Sequence, residues 1–193
     1  GPSVRAATRV AAVHRDEFGA TVQLESGSER FDEIIIASHS DQALAMLADA
    51  SDPERDLLGS LPYQPNDVVL HTDASTLPRR RRCWAGWNYR VTDQPGRPVV
   101  VTYNMSILQR LDTRTPLCVT LNDTDSIDPD RVIARFRYDH PLTTLKGEQA
   151  KDRWHEISGV NRTHYCGAYW GNGFHEDGVV SALRVCKPLG GVL

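Results

Sequence analysis

Alternating polar and apolar residues near the start of the chain predict a β-meander. The period of two is clearest around Val22 and Leu24, which alternate with polar neighbours. Turns rich in Gly, Asp and Ser separate three such runs, as is typical of hairpin-linked strands. We therefore expect strands at residues 4–13, 20–24 and 29–32, joined by turns at 15–19 and 26–28.

The stretch that follows the meander is almost wholly apolar. Residues 33–37 read Glu-Ile-Ile-Ile-Ala. A short run of this kind is typical of a strand that is buried on both faces, as in a parallel sheet. We expect such a strand here, in a module where the two terminal segments of the chain meet.

Two short helices are expected next. Residues 42–50 carry apolar side chains at helical spacing, and Ser40 or Asp41 is a plausible N-cap. Pro53 favours the first turn of a second helix, and Gly59 favours its end.

Short apolar runs separated by Pro, Gly and Asp turns predict a second sheet in the middle of the chain. A turn within the acidic run has Asp128 as its expected cap, directly before Pro129. We expect strands at residues 67–72, 83–88, 99–105, 117–122 and 135–138, helical turns at 107–111 and 130–134, and a short helix at 149–157.

The C-terminal segment predicts a short strand, a glycine turn and a helix. Glycines at 171 and 173 allow a sharp turn and a close approach of a ligand to the backbone. The helix that follows offers free N–H groups and the positive end of its dipole. This combination favours binding of a phosphate or of the pyrimidine edge of a flavin. Because the chain ends about one helix later, we expect a closing element and not the opening of a dinucleotide-binding fold.

Composition and charge narrow the class of protein. The chain has 193 residues and a net charge of −3, which does not favour nucleic-acid or anionic-membrane binding. The run Arg79–Arg82 is interpreted as a solvated turn, with a phosphate or acidic-substrate contact as the alternative. The four cysteines form no C-x-x-C pair, and no signal peptide or membrane-spanning run is evident. We expect reduced thiols, no membrane span and a cytoplasmic location.

Metal binding is not expected. No His pair has the H-E-x-x-H form, and no Cys lies at zinc-finger spacing to a His. The acidic run 122–130 lacks the glycine and the glutamate of a calcium loop.

Two strings carry a resemblance to a known family. The string 31–39, Phe-Asp-Glu-Ile-Ile-Ile-Ala-Ser-His, followed by 173–178, Gly-Phe-His-Glu-Asp-Gly, resembles the flavin-containing amine oxidase superfamily. More narrowly, it resembles bacterial FAD-dependent oxidoreductases described as NAD(P)-binding amine oxidase-like proteins. The resemblance covers nearly the whole chain, and further matching strings lie at 63–66, 71–73, 84–89, 101–105, 135–141 and 166–171.

The resemblance implies a mixed α/β fold with a predominantly antiparallel substrate-domain sheet and terminal elements of an FAD-binding domain. It implies FAD as cofactor, and transfer of hydride from an apolar or amine substrate to the flavin. The expected modules are 1–60 (meander, buried strand and helix of the FAD-domain part), 61–160 (substrate-domain sheet and helices) and 161–193 (closing strand, turn and helix of the FAD-domain part).

Two departures from the family pattern bear on the cofactor. The G-x-G-x-x-G element that binds the FAD pyrophosphate is absent, and Gly171-Asn172-Gly173 is the nearest match, in another place. The chain is therefore expected to be the C-terminal portion of a longer enzyme. We expect this fragment alone to be inactive. Relatives carry an acidic residue after the closing strand's glycine, where Gly167 is followed here by Ala168. The sequence therefore leaves open whether any residue of this chain contacts the FAD ribityl chain.

The resemblance also implies site residues. Backbone N–H groups at the start of the last helix would face the flavin edge, where negative charge gathers on reduction. His175 is the one candidate for acid–base work, since no other residue is a compelling base. The alternative at this turn is an acidic helix N-terminus without a ligand. The candidate cofactor-binding residues are Ala37, Ser38, His39, Gly167, Gly171, Gly173, Phe174, His175, Glu176, Asp177 and Gly178.

Aromatic residues with polar tips suit a pocket for an apolar substrate. The same residues fit the packing of a sheet equally well. The candidate substrate-binding residues are Trp84, Trp87, Asn88, Tyr89, Tyr103, Tyr169 and Trp170.

Two readings without catalysis stay open. The chain could be a binding module for an apolar ligand or a partner protein that never holds FAD. It could instead be a fragment that forms a homodimer through apolar surface around 34–36 and 179–180, which the missing portion would leave exposed.

Overall fold

A computed structural model describes residues 4–91 and 98–191 and contains a mixed α/β fold, as predicted. None of the helices in these segments combines the length and apolar character that a membrane crossing needs. The strands are β1 (Val10–Asp16), β2 (Gly19–Leu24), β3 (Gly27–Phe31), β4 (Ile34–Ile36), β5 (Tyr63–His71), β6 (Trp87–Arg90), β7 (Val100–Asn104), β8 (Cys118–Leu121), β9 (Val132–Pro141) and β10 (Thr163–Tyr165). The α-helices are α1 (Ser40–Met46), α2 (Asp52–Leu58), α3 (Met105–Leu108), α4 (Leu145–Asp152) and α5 (His175–Cys186).

The chain divides into two compact units. The first joins Gly1–Tyr63 with Pro141–Leu193, and the second is Gln64–His140. The second unit is smaller than the expected module 61–160, because Ala150 and Ile157 are buried in the core of the first unit. Residues 1–3 and 192–193, which the expected modules include, lie outside the described residues.

The predicted meander is confirmed as an antiparallel sheet in the order β1-β2-β3. β1 begins at Val10 and continues to Asp16, inside the predicted turn. The turn tightens there because Oδ1 of Asp16 accepts a 2.8 Å hydrogen bond from the N–H of Phe18. Gly19 opens β2 where a Cβ would lie 2.4 Å from the carbonyl oxygen of Phe31, so the close strand pairing requires glycine.

The apolar strand β4 pairs in parallel with β10, so the terminal segments of the chain do meet in one unit. The expectation that β4 is buried on both faces is wrong. Ile36 is 6% exposed, but Ile35 is 42% exposed. The described part of this sheet has two strands only, and Ile35 faces away from the core that covers Ile36.

Helix boundaries follow local signals in part. α2 has Pro53 in its first turn and Gly59 after its end, as predicted, and Ser51 is its N-cap. α1 begins earlier than predicted, with His39 at the N-cap position in place of Ser40 or Asp41. α4 also begins early, because Oγ1 of Thr144 accepts a 3.0 Å hydrogen bond from the N–H of Gly147 and caps the helix there.

A buried ion pair joins three elements of the first unit. The two terminal guanidinium nitrogens of Arg15 on β1, Nη1 and Nη2, donate to the carboxylate of Glu54 on α2 at 2.5 and 2.9 Å. The side chains are 3% and 2% exposed. Tyr165 on β10 adds a hydroxyl donor to Glu54 at 2.6 Å, and Asp49 accepts from Nε of Arg15 at 2.8 Å. The meander, the helix and the closing strand are therefore held by one polar network.

The second unit contains a sheet in the order β6-β7-β8-β5-β9, and the pairs β6–β7, β7–β8 and β5–β8 are antiparallel. The predominantly antiparallel sheet is thus confirmed. The strand expected from residue 83 begins only at Trp87, after a 3₁₀ turn at Arg81–Cys83. The helical turn expected at 130–134 ends at Arg131, where β9 follows. Asp128 caps that turn as predicted, accepting from the N–H of Asp130 at 3.0 Å.

Candidate functional site

The glycine turn before α5 is shaped by close contacts. A Cβ at Gly167 would lie 2.4 Å from the ring of Tyr169, and a Cβ at Gly171 would lie 2.4 Å from Oδ1 of Asp177. Gly173 has a φ of +88°, in the left-handed region, and open space around its Cα. Gly171 and Gly167 are therefore required by their neighbours, whereas Gly173 is required by its backbone conformation and leaves room for a ligand.

Asp177 organises the turn from inside α5. Its Oδ2 accepts hydrogen bonds from the N–H of Asn172 at 3.1 Å and from that of Phe174 at 2.9 Å. These two donors are thus used within the chain. The N–H groups of His175 and Glu176, in the first turn of α5, have no carbonyl one turn earlier in the helix. Both residues are exposed, so these donors face solvent.

A second group of candidates lies after the carboxyl end of β4, where Ala37 and Ser38 lead into α1. The ring of His39 stacks on that of Tyr63, with 4.5 Å between centroids. The hydroxyl of Tyr63 accepts a 3.1 Å hydrogen bond from the N–H of Ser40. Tyr63 belongs to the site although the sequence indicated only a connector there. Its place in the matching string 63–66 was the one available signal.

Tyr169 and Trp170 lie in the 3₁₀ turn that precedes the glycines. Each is 6% exposed, and their ring centroids are 5.1 Å apart. Burial raises the pKa of the Tyr169 phenol, and the nearby Tyr63 adds to the rise. Burial also raises the pKa of Tyr63. Both phenols are therefore neutral near pH 7 and keep an O–H donor.

Although Oγ of Ser40 lies near the Tyr63 hydroxyl, and the side chains of Tyr169 and Trp170 lie near each other, four buried polar atoms in this region make no well-formed hydrogen bond among the described residues. They are Nδ1 of His39, Oγ of Ser40, the hydroxyl of Tyr169 and Nε1 of Trp170. A buried polar atom left without a partner costs about 1–3 kcal/mol, so such atoms are rare in folded proteins and mark places that a polar group from a ligand or water can satisfy. Together with the left-handed Gly173, they are a local arrangement that fits a polar cofactor.

An apolar groove of about 760 Å³ runs along the meander and β4 within the first unit. Its wall includes Ile35 and Phe31, which are 42% and 45% exposed. The groove ends at Ala37 and Ser38, two of the predicted cofactor contacts.

The second unit brings three of the predicted substrate residues onto one sheet face. Trp87 on β6 lies opposite Tyr103 on β7, and their rings meet edge to face with centroids 6.3 Å apart. Tyr89 points to the same side as Trp87, two positions along the strand, and both are more than 60% exposed. This is an exposed aromatic surface.

Asn88 and Trp84 do not join that surface. Asn88 points to the opposite face, where its amide nitrogen donates to the carbonyls of Ala85 at 2.8 Å and Thr102 at 3.2 Å. Nε1 of Trp84 donates to the carbonyl of Pro78 at 2.9 Å, and the guanidinium of Arg81 lies 4.9 Å from its ring centroid. Both side chains are therefore engaged in local structure.

Metal ligands are not grouped in the described segments: no three His, Cys, Asp or Glu side chains there form a set that could hold an ion.

Comparison with family models gives no match, and comparison with curated proteins gives none either. Solved structures do match. A putative protoporphyrinogen oxidase from Exiguobacterium sp. 255-15 has a TM-score of 0.68 at 14% identity, over 94% of this chain and 46% of that one. A CLA-producing fatty acid isomerase from P. acnes has a TM-score of 0.64 at 14% identity, over 94% and 47%. Cyclohexylamine oxidase from Brevibacterium oxydans IH-35A has a TM-score of 0.58 at 14% identity, over 95% and 49%.

At these identities the comparison establishes the fold alone, which the chain shares with these three structures. The chain spans less than half the length of the solved structures that it matches.

Proposed function

We propose that the chain is the C-terminal portion of an FAD-dependent oxidoreductase of amine oxidase type, which transfers hydride from an apolar or amine substrate to flavin. The observation that carries the proposal is the set of four buried polar atoms without a well-formed hydrogen bond, on residues 39, 40, 169 and 170. The shared fold and the string 173–178 support it as well.

In this proposal, FAD when bound would supply the acceptor for a hydride, that is, two electrons and one proton, from a substrate C–H bond. The residues that would hold it are Ser40, His39 and Gly173, together with the first turn of α5. The free N–H groups of His175 and Glu176 would donate to an electron-rich edge, and the positive end of the helix dipole would favour negative charge there.

Asp177 works against part of that dipole effect. Its carboxylate already accepts from Asn172 and Phe174, so its negative charge lies in the turn itself. We infer that its role is to shape the turn, while the donors at 175 and 176 meet the ligand. Ala168 offers no carboxylate to a ribityl chain, and we assign that contact to no residue.

Tyr169 and Trp170 would wall the reacting region and exclude water from it, because both are large and buried. Their O–H and N–H groups, which make no well-formed hydrogen bond, would donate to polar atoms of the ligand or substrate. His175 remains the candidate for acid–base work, at an exposed position at the start of α5.

A second candidate function is a non-catalytic module that binds an apolar ligand. It is favoured by the aromatic surface of Trp87, Tyr89 and Tyr103, which lies wholly within the second unit.

Exposed Ile35, Val179 and Val180 also favour a homodimer. Size-exclusion chromatography tests the dimer, and a visible absorption spectrum after incubation with FAD and gel filtration separates the flavin proposal from both alternatives.

A further inference from the structure

Lys151, in the last turn of α4, reaches the glycine turn. Its Nζ donates a 2.7 Å hydrogen bond to the carbonyl oxygen of Gly171 and lies 2.6 Å from Oε1 of Glu148. The side chain is 18% exposed, so the contact is largely removed from water. No local sequence pattern predicts this contact, since Lys151 has the features of an ordinary surface lysine.

The peptide between Gly171 and Asn172 is held on both sides by charged groups. Lys151 on α4 binds its carbonyl oxygen, and Asp177 on α5 binds its N–H at 3.1 Å. Hydrogen bonds to charged groups are about twice as strong as neutral ones. These two contacts act on the peptide directly, beside the hydrogen bonds that the N–H groups of Gly171 and Gly173 donate to the carbonyl oxygen of Ala168 at 3.0 and 3.1 Å.

We propose that Lys151 is a positioning residue: it fixes the Gly171–Asn172 peptide and thereby holds the turn in the conformation that exposes Gly173 and the first turn of α5 to a ligand. The identity of that ligand as a flavin rests on the proposed function, whereas the clamp on the peptide does not.

The test is hydrogen–deuterium exchange of the segment 171–174 in the purified chain. Lys151→Met removes the donor, and exchange in this segment should become about tenfold faster, the loss expected for one charge-assisted hydrogen bond. Lys151→Arg keeps a charged donor and should restore slow exchange. The matched control is Lys146→Met on the same helix, because the Lys146 side chain is 67% exposed and its ammonium pairs with Asp56 at 3.0 Å. It should leave the segment unchanged.

Glu148→Gln separates the carbonyl contact from the ion pair. It removes the charge opposite Lys151 but leaves the bond to Gly171, so exchange at 171–174 should stay within about twofold of the parent. If Lys151→Met fails to fold, Lys151→Gln, which also removes the charged donor, takes its place in this comparison. Equal acceleration by Glu148→Gln, or no acceleration by a folded Lys151→Met, would overturn the clamp.

A flavin readout follows separately. In a chain that retains FAD, Lys151→Met should raise the dissociation constant about tenfold and shift the visible flavin spectrum, and Lys151→Arg should restore both. If Lys151→Met leaves the affinity and the spectrum unchanged, the claim that the Lys151 contact prepares the turn for a ligand is wrong. Failure of every variant to retain FAD would count against the proposed function, while the exchange result would still decide the clamp.

Discussion

The hydroxyl of Tyr165 donates a 2.6 Å hydrogen bond to Oε1 of Glu54, a residue 111 positions away in the chain. Tyr165 ends the closing strand β10, and Glu54 lies in α2 with its carboxylate on Arg15. Because both side chains are buried, this contact ties the C-terminal segment to the N-terminal one. The candidate turn follows directly after Tyr165, so the network anchors the element that would carry the cofactor contacts.

Glu54→Gln should destabilise the protein by about 3 kcal/mol, because it removes the buried anion of Arg15 and leaves its guanidinium with only the partly exposed Asp49. Tyr165→Phe should cost about 1 kcal/mol, the usual worth of one hydrogen bond. Urea unfolding of both variants and of the double variant measures these values. The double variant should cost less than the sum of the single ones, since the two groups share a bond; strict additivity would contradict the network.

Acid stability should depend on the same carboxylate. Burial acts to raise the pKa of Glu54, but hydrogen bonds from Arg15, Tyr165 and Ser51 outweigh it and lower the pKa to about 2 from its ordinary value of 4.5. The stabilisation is therefore complete above the ordinary pKa and is lost as the pH falls from about 4.5 towards 2.

The check is the difference in unfolding free energy between the parent and Glu54→Gln, measured from pH 6 to pH 2. The difference should shrink as the pH falls through that window. Asp16→Asn serves as the exposed control: a hydrogen bond from Arg30 lowers the pKa of Asp16 to about 2, but the pair lies in solvent, so its variant should show a smaller effect. If the parent and Glu54→Gln lose stability in parallel as the pH falls, the Glu54 carboxylate does not determine acid stability.

Local signals explain which parts of the fold were predictable. The meander followed from its alternation and turns, and α2 from Ser51, Pro53 and Gly59. The helical turn expected at 130–134 became strand after Arg131, because sheet pairing beside β5 overrides a weak local preference. A single sequence does not record which strands become neighbours.

The site was predictable only where it is continuous in the chain. The turn residues Gly171 and Gly173 lie close together in the sequence, and their spacing predicts the turn. Tyr63 and Lys151 join the site through space, from segments about a hundred and about twenty positions away from Gly171: Tyr63 stacks on His39, and Lys151 binds Gly171. The matching string 63–66 is the one sequence signal for Tyr63, and nothing in the local sequence signals the contact of Lys151. Asn88 was grouped with Trp87 by adjacency, although neighbouring strand residues point to opposite faces.

Thiol labelling should rank the cysteines by burial. Burial raises the pKa of Cys118 to about 11, and it also raises that of Cys166, whereas Cys83 is exposed. Thiolates react and thiols do not, so iodoacetamide at pH 7.5 should modify Cys83 first and Cys118 only after unfolding. Mass spectrometry of the time course checks this order. Equal rates at Cys83 and Cys118 in the native protein would contradict the burial described for β8.

The aromatic surface of the second unit should bind apolar molecules. Trp87→Ala should weaken the binding of a fluorescent fatty-acid probe about tenfold, because one large aromatic contact is lost, and should leave the melting temperature nearly unchanged. Asn88→Ala is the matched comparison. It should lower stability by about 1–2 kcal/mol through lost hydrogen bonds and leave the affinity of the folded protein intact.

Fluorescence titration and thermal melts of the same two variants separate these effects. If Asn88→Ala weakens binding as much as Trp87→Ala does, the assignment of Asn88 to local structure is wrong. If neither variant changes binding, the surface of Trp87, Tyr89 and Tyr103 is not a ligand site.

The most direct test of the central claim is the visible absorption spectrum of the purified chain after incubation with FAD and gel filtration. Retained flavin absorbance is the expected result, and Gly173→Val should abolish it, because a β-branched side chain does not tolerate the left-handed backbone at that position. Gly190→Val is the matched control, since Gly190 also has a positive φ, +81°, and open space, but follows the end of α5. A colourless parent, or equal loss of flavin in both variants, would contradict a cofactor site at the glycine turn.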